Sequence, residues 1–230
     1  MPGSISKRVI LRAIGPSLPV AERLENPRLE LFNSSGVMID SNDNWRTFNE
    51  EEIKNSQLAP PDDRESAIIR RLDPGSYTAI IRGVGNSVGI GLVEIYDLEG
   101  ETPSELANIS TRGKVGLGDD ALIGGIIVRG GNPQNVLVRA IGPSMNVGNA
   151  LQDTRLELRD QNGALLQEND NWRSDQEAAI QATGIPPTDD REAAVLRPLG
   201  PGEYTVIVRE SGISLSNGLA LVEAYRLGDP

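Results

Sequence analysis

Neither cysteine nor histidine occurs in the 230 residues, and these two absences exclude more chemistry than any residue present. Without histidine the chain cannot build a Ser-His-Asp or Cys-His nucleophile system, or hold zinc or copper through imidazole. Without cysteine there is no disulfide framework and no thiolate site, which by itself assigns no compartment. Aromatic residues make up only 3% of the chain, so each one present has a large share of any core or binding surface. Basic residues are outnumbered, 22 against 33 acidic, and the net charge of −11 makes a phosphate backbone an unfavourable partner. Nucleic acid binding is not expected. The longest apolar run, residues 121–128, is broken by Gly124-Gly125 and falls short of the ~20 residues of a spanning helix, so membrane insertion is not expected either.

What the chain does contain is a duplication. Asn42-Asp43-Asn44-Trp45 returns as Asn169-Asp170-Asn171-Trp172 at an offset of 127, and these are the two tryptophans of the chain. At the same offset Arg12-Ala13-Ile14-Gly15-Pro16-Ser17 recurs as residues 139–144, Arg28-Leu29-Glu30-Leu31 as 155–158, and Asp62-Asp63-Arg64-Glu65 as 189–192. Across residues 28–46 and 155–173, 10 of 19 positions are identical, which identifies one folding unit present twice. Two domains of roughly 100 residues, each with its own core, suit the length. The expected boundaries are 1–106 and 107–230.

Each copy reads as short strands with closely spaced turn signals. Residues 8–14 alternate and end at Gly15-Pro16; residues 28–32 alternate and turn at 33–36, where the second copy has Asn162-Gly163, a strong hairpin signal. Thr47-x-x-Glu50 and Ser174-x-x-Glu177 have the form of capping boxes, so one short helix per copy is expected, with Ile53/Ile180 and Leu58/Ile185 on its buried side. Pro60-Pro61 and Pro186-Pro187 are its expected stops. Further strands are expected around Ala67-Ile68-Ile69, at 77–81 and 92–96, and in the second copy at 204–208 and 221–225. The pattern predicts an all-β chain: two tandem β-sandwich domains of jelly-roll type, each with one short helix.

Two strand-like runs between the copies, 107–112 and 122–128, have no counterpart ahead of copy one. They either belong to the second domain, complete the first, or divide between them. If one domain owns both, the other keeps an unpaired sheet edge where another strand can dock. Ala107, Ile109, Ile123, Ile126 and Val128 are the candidate assembly residues. Met1-Pro2-Gly3-Ser4 lacks the basic start and apolar core of a signal peptide, and with the unmatched runs this favours a piece of a longer array.

The repeated phrases Arg12 to Ser17, Asn42 to Trp45, Pro74 to Thr78 and Leu92 to Tyr96, with the unduplicated Leu106 to Gly113, resemble tandem units in large secreted proteins of environmental bacteria. Residues 29–96 are also similar, less closely, to the pre-peptidase C-terminal jelly-roll domains appended to secreted bacterial peptidases. The resemblance implies an extracellular, multi-domain setting with these units as accessory or surface modules, no assigned catalysis and no known ligand.

Candidate sites carry alternative readings. Asp40, Asn42, Asp43 and Asn44, with Glu168, Asn169, Asp170 and Asn171 in the second copy, offer the hard oxygen ligands that calcium takes; the alternative is an Asx turn joining strand to helix. No cofactor is required, and calcium is the one candidate ion. Trp45 and Trp172 are either platforms for sugar rings or core plugs, and the scarcity of aromatics favours the core. The Asp-Asp-Arg-Glu block can be read as paired glycosidase carboxylates, but a loop tied by Arg–carboxylate bonds is simpler. Arg12 with Glu94, and Arg139 with Glu223, are expected to pair across strands. The sequence thus points away from an enzyme and towards a structural or adhesive module that joins copies or neighbouring repeats. The alternative is a carbohydrate-binding module, with polysaccharide as partner and calcium as its ion.

Overall fold

The computed structural model describes residues 5–99, 108–118, 120–211 and 217–227; Leu106, Ala107 and the interior of the loop before the last strand lie outside the described residues. The chain divides into two compact units, Met1–Leu106 and Ala107–Pro230.

The first unit runs β1 (Lys7–Ile14), β2 (Pro27–Asn33), β3 (Met38–Asn42), α1 (Glu50–Asn55), β4 (Ser66–Leu72), β5 (Tyr77–Gly83) and β6 (Leu92–Asp97). Its strands form two antiparallel sheets, ordered β4-β1-β6 and β3-β2-β5. Val9, Leu11 and Ala13 of β1 meet Leu29 and Leu31 of β2 between the sheets, and this apolar layer is the sandwich core. On the opposite face of β1, Ile10 joins Trp45, Ile53, Ala67 and Ile69 in a second cluster under the helix. Burial on both faces explains why β1 reads as a nearly continuous apolar run.

The second unit repeats this plan and adds two strands. It runs β7 (Asn108–Val115), β8 (Leu122–Val128), β9 (Gln134–Ile141), β10 (Thr154–Asp160), β11 (Leu165–Asn169), α2 (Glu177–Ala182), β12 (Ala193–Leu199), β13 (Gly202–Glu210) and β14 (Gly218–Leu227). The sheets are ordered β12-β9-β14-β7 and β11-β10-β13-β8, so β7 extends one sheet and β8 the other. The two unmatched runs both belong to the second unit. Among the described residues no helix is long and apolar enough to cross a membrane.

The turns after β2 and β10 follow from side-chain chemistry. Asn33 Oδ1 accepts from the amides of Ser35 and Val37, and Asp160 Oδ1 from those of Asn162 and Ala164. Gly36 and Gly163 follow at φ +73° and +79°, a conformation that favours glycine.

The helices depart from expectation. Neither capping box forms: α1 and α2 begin at Glu50 and Glu177, behind left-handed Asn49 and Gln176, with no side-chain cap bond. Thr47 and Ser174 instead donate their hydroxyls to the carbonyls of Asn44 and Asn171 in the preceding tight turn. Nor do the prolines end the helices, which stop at Asn55 and Ala182 ahead of positive-φ Gln57 and Gly184. Leu58 and Ile185 lie beyond the helices and pack against the tryptophan clusters from the following loops.

Candidate functional site

The Asn-Asp-Asn-Trp phrase is a knot that ties three segments. Asn42, nearly buried, donates its amide to Asn44 O at 3.1 Å and Thr47 Oγ1 at 3.2 Å, and its Oδ1 accepts from Ala67 N at 3.1 Å. Asn169 makes the same three bonds, to Asn171, Ser174 and Ala194. Trp45 is 2% exposed, and its indole N–H donates to Asp62 O at 3.2 Å. Arg46 stacks over its ring at 4.2 Å and Arg173 over Trp172 at 4.1 Å. The sugar-platform reading of both tryptophans is therefore corrected: these indoles fill the core under an arginine lid, with no free face.

The polar groups expected for calcium are spread out. Asp40 accepts from Arg70 and Glu168 from Arg155, the two asparagines are consumed by the knot, Asp43, Asp170 and Asn171 are exposed, and Asn44 is half-buried. Among the described residues no group of three carboxylates gathers in metal-binding geometry.

Beside Asp170 sits Asp153, whose Oδ1 is buried without a hydrogen-bond partner; Asn26 Oδ1 is equally unpartnered at the matching place in the first unit. Desolvation, helped by the charge of Asp170, raises the Asp153 carboxyl above the usual range. Asp62 and Asp189 move the other way, held low by the side-chain hydrogen bonds of Arg64 and Arg191. A general acid needs the opposite shift, so these carboxyls act as loop ties.

Arg12 Nε donates to Glu94 Oε2 at 2.9 Å and Arg139 Nε to Glu223 Oε2 at 3.0 Å, each pair spanning neighbouring strands. Tyr96 and Tyr225 donate to the free carboxylate oxygens, and their hydroxyl pKa values are raised, by desolvation first and the glutamate second. Glu65 and Glu192 are hubs that sequence reasoning missed. Both are fully buried, and Glu65 accepts from Gly15 N (3.1 Å), Ser17 N (2.9 Å), Ser17 Oγ (2.5 Å) and Asp62 N (3.2 Å). The available signal was the joint recurrence of Arg-Ala-Ile-Gly-Pro-Ser and Asp-Asp-Arg-Glu, whose serine and glutamate are these partners.

The units differ most at one side of the sandwich, where the edges of both sheets lie. In the second unit β8 lies against β13 and β7 against β14. Leu122 and Val128 of β8 and Val115 of β7 enter the core, with Ile126 packed against it, while Ile109 and Ile123 point outward. The assembly residues Ile126 and Val128 are thus part of their own unit's core. The equivalents of β13 and β14 in the first unit are β5 and β6, and among the described residues no strand lies on their outer sides. Val206, Val208 and Val222 are at most 5% exposed, whereas the matching Ala79, Ile81 and Val93 are only half-buried. Val88, in the adjoining loop, is 92% exposed. The opposite edges are guarded: β4 carries Arg70 and Arg71, β12 carries Arg197 and Pro198, and β11 carries Glu168. On β5 the only charge is Arg82 near its end, and on β6 Glu94 is taken by Arg12 and the terminal Asp97 by Lys7.

No protein-family model matches the chain, and no curated protein matches it in sequence. Among solved structures, the pre-peptidase C-terminal domain of a Bacillus anthracis collagenase aligns at 11% identity over 51% of this chain and 89% of that one, with a TM-score of 0.33. The tandem CBM51 modules of a Streptococcus pneumoniae family 98 glycoside hydrolase align at 11% identity over 97% and 78%, with a TM-score of 0.26. The major capsid protein P2 of bacteriophage PM2 aligns at 10% identity over 100% and 90%, with a TM-score of 0.30.

Proposed function

We propose that the chain is a non-enzymatic structural or adhesive repeat module that works outside the cell and joins neighbouring repeats head to tail by strand addition. The observation that carries this reading is the β5–β6 edge of the first unit, which no strand covers among the described residues and whose few charges, Arg82, Glu94 and Asp97, are each paired within the unit, where the same edge of the second unit is filled. An edge strand presents a row of free amides and carbonyls, and half-buried apolar residues beside it gain from a partner that shields them. A head-to-tail contact does not close on itself unless its rotation closes a ring, so it extends into filaments. The extracellular setting comes from the resemblance of the repeated phrases to units of secreted bacterial proteins.

The test is size-exclusion chromatography with light scattering over a concentration series, with and without calcium, followed by negative-stain microscopy of large species. Concentration-dependent oligomers are expected without any ligand. A strict monomer in every condition would refute the joining of copies.

A second reading, a glycan-binding accessory module, is favoured by one observation. Phe48 is 73% exposed beside a depression of about 250 Å³ lined by Arg28, Ser41, Asp43 and Thr47, which sets an aromatic face next to hydrogen-bonding groups. Retention on immobilised polysaccharide in calcium, lost in Phe48→Ala, is its expected signature.

A further inference from the structure

The edge that strand addition would use also specifies what fits it, because the chain contains both a filled and an unfilled version. On β5, Tyr77, Thr78, Ile80 and Arg82 are identical to their partners on β13; on β6, Leu92, Val93, Glu94 and Tyr96 are identical to theirs on β14. The attachment to the rest of the sandwich matches as well. Ala13 pairs with Val93 as Ala140 pairs with Val222, and the isolated parallel bridge Arg23–Ile90 repeats as Ala150–Leu219.

What fills the second unit is a strand pair with particular side-chain demands. On β8, Leu122 lies opposite Val208, Gly124 opposite Val206 and Ile126 opposite Tyr204. The glycines sit where room is short: a Cβ on Gly124 would lie 3.3 Å from Val222 Cγ1, tighter than an ordinary contact, and one on Gly113 of β7 would lie 2.6 Å from Leu122 Cδ1, the end of a side chain that can turn aside. The two strands meet across the open end of the sandwich, one on each sheet, and glycine favours their close approach there.

Among the described residues the chain offers two such acceptor edges and one donor pair. Exchange of β7 and β8 between copies fills one edge only by emptying another. Among the described residues one acceptor edge therefore stays without a donor pair.

We propose that the β5–β6 edge accepts a two-strand segment of the β7–β8 pattern carried by another repeat of this kind. This inference rests on the strand-addition reading and names its occupant. The incoming segment places an apolar residue opposite Ile81, glycine opposite Ala79 and an apolar residue opposite Tyr77. Its second strand runs antiparallel to β6, with a small residue opposite Gly91. Glycine opposite Ala79 is favoured because Val93 occupies the position from which Val222 comes within 3.3 Å of a Cβ on Gly124.

The probe is a synthetic peptide with the sequence of residues 107–130, added in excess to the full chain and followed by hydrogen exchange. The amides of β5 and β6 are expected to gain at least ~10-fold protection, with β13 and β14 unchanged, and a Gly124→Val peptide to bind roughly tenfold more weakly. A second chain repeats residues 107–133 directly ahead of Lys7, which reproduces the β8–β9 connection because Lys7 and Gln134 are equivalent. In it the unfolding transition of the first unit is expected to rise and uptake of peptide to vanish. Equal binding of the two peptides, or protection confined to β13 and β14, would overturn the inference. If copies associate through β5 and β6 while peptide and repeated segment have no effect, the occupant is wrong and strand addition stands. If the peptide binds as described while the chain stays monomeric, the occupant is right and the joining of free copies is wrong.

Discussion

Removing the Glu192 carboxylate tests whether a buried acid, and not the hydrophobic layer alone, holds the loops of each unit in place. The carboxylate accepts from Gly142 N at 3.1 Å, Ser144 N at 3.0 Å, Ser144 Oγ at 2.6 Å and Asp189 N at 3.3 Å. It thereby ties the turn after β9 to the loop before β12. In Glu192→Gln the remaining oxygen can keep the three donors from Gly142 and Ser144, but the new amide faces the Asp189 N–H, donor against donor. One lost bond to a charged acceptor and one opposed donor should cost about 2 kcal/mol. Glu192→Ala leaves all four donors without the acceptor, the buried Gly142 amide among them, and about 4 kcal/mol is expected. At about 4 °C per kcal/mol for a unit of this size, the midpoint should fall by about 8 °C and about 16 °C respectively. Unfolding is read by the fluorescence of Trp172 in a Trp45→Phe background, so that the indole reports the second unit alone. A loss below about 1 kcal/mol for alanine, or equal losses for the two variants, would refute the account.

Two further outcomes follow from the polar groups. Asp153 has a carboxyl pKa raised by burial, so the folded unit holds its proton more tightly than the unfolded chain; the resulting penalty is absent below the ordinary aspartate range and grows as pH rises through the folded value. Asp153→Asn, which copies Asn26 of the first unit, should stabilise the second unit by up to about 1 kcal/mol at pH 7 and by nothing near pH 3; a gain independent of pH, in denaturant titrations at both, would contradict this. Arg12→Met alone leaves Glu94 in a largely buried setting without its cation and should cost about 3 kcal/mol, whereas Arg12→Met with Glu94→Leu should recover at least half. Equal losses in a thermal melt would sink the pairing as the source of the cost.

The duplication and the strands were legible because alternation and turn residues act locally. Residues 122–128 read as a strand and form one, and residues 28–32 lie inside β2. The helix signals misled for a physical reason. Thr47 can satisfy a helix-start amide or the Asn44 carbonyl, and the Asn42 amide, by binding both Asn44 O and Thr47 Oγ1, selects the second. That choice depends on Asn42 being anchored to Ala67, 25 residues away. The glutamate hubs were hidden likewise, since their donors come from a turn about 50 positions earlier. Ownership of β7 and β8 could not be read from one copy without a counterpart; pairing to β13 and β14 decides it.

The first and last strands of the second unit are antiparallel neighbours, with Asn108 opposite Tyr225. The chain therefore enters and leaves that unit at the same end of one ladder. A pull on those two points acts along the inter-strand hydrogen bonds, which run perpendicular to the strands, so they break one pair after another and never share the load. A unit strung into a fibre by these ends yields like a zipper at low tension.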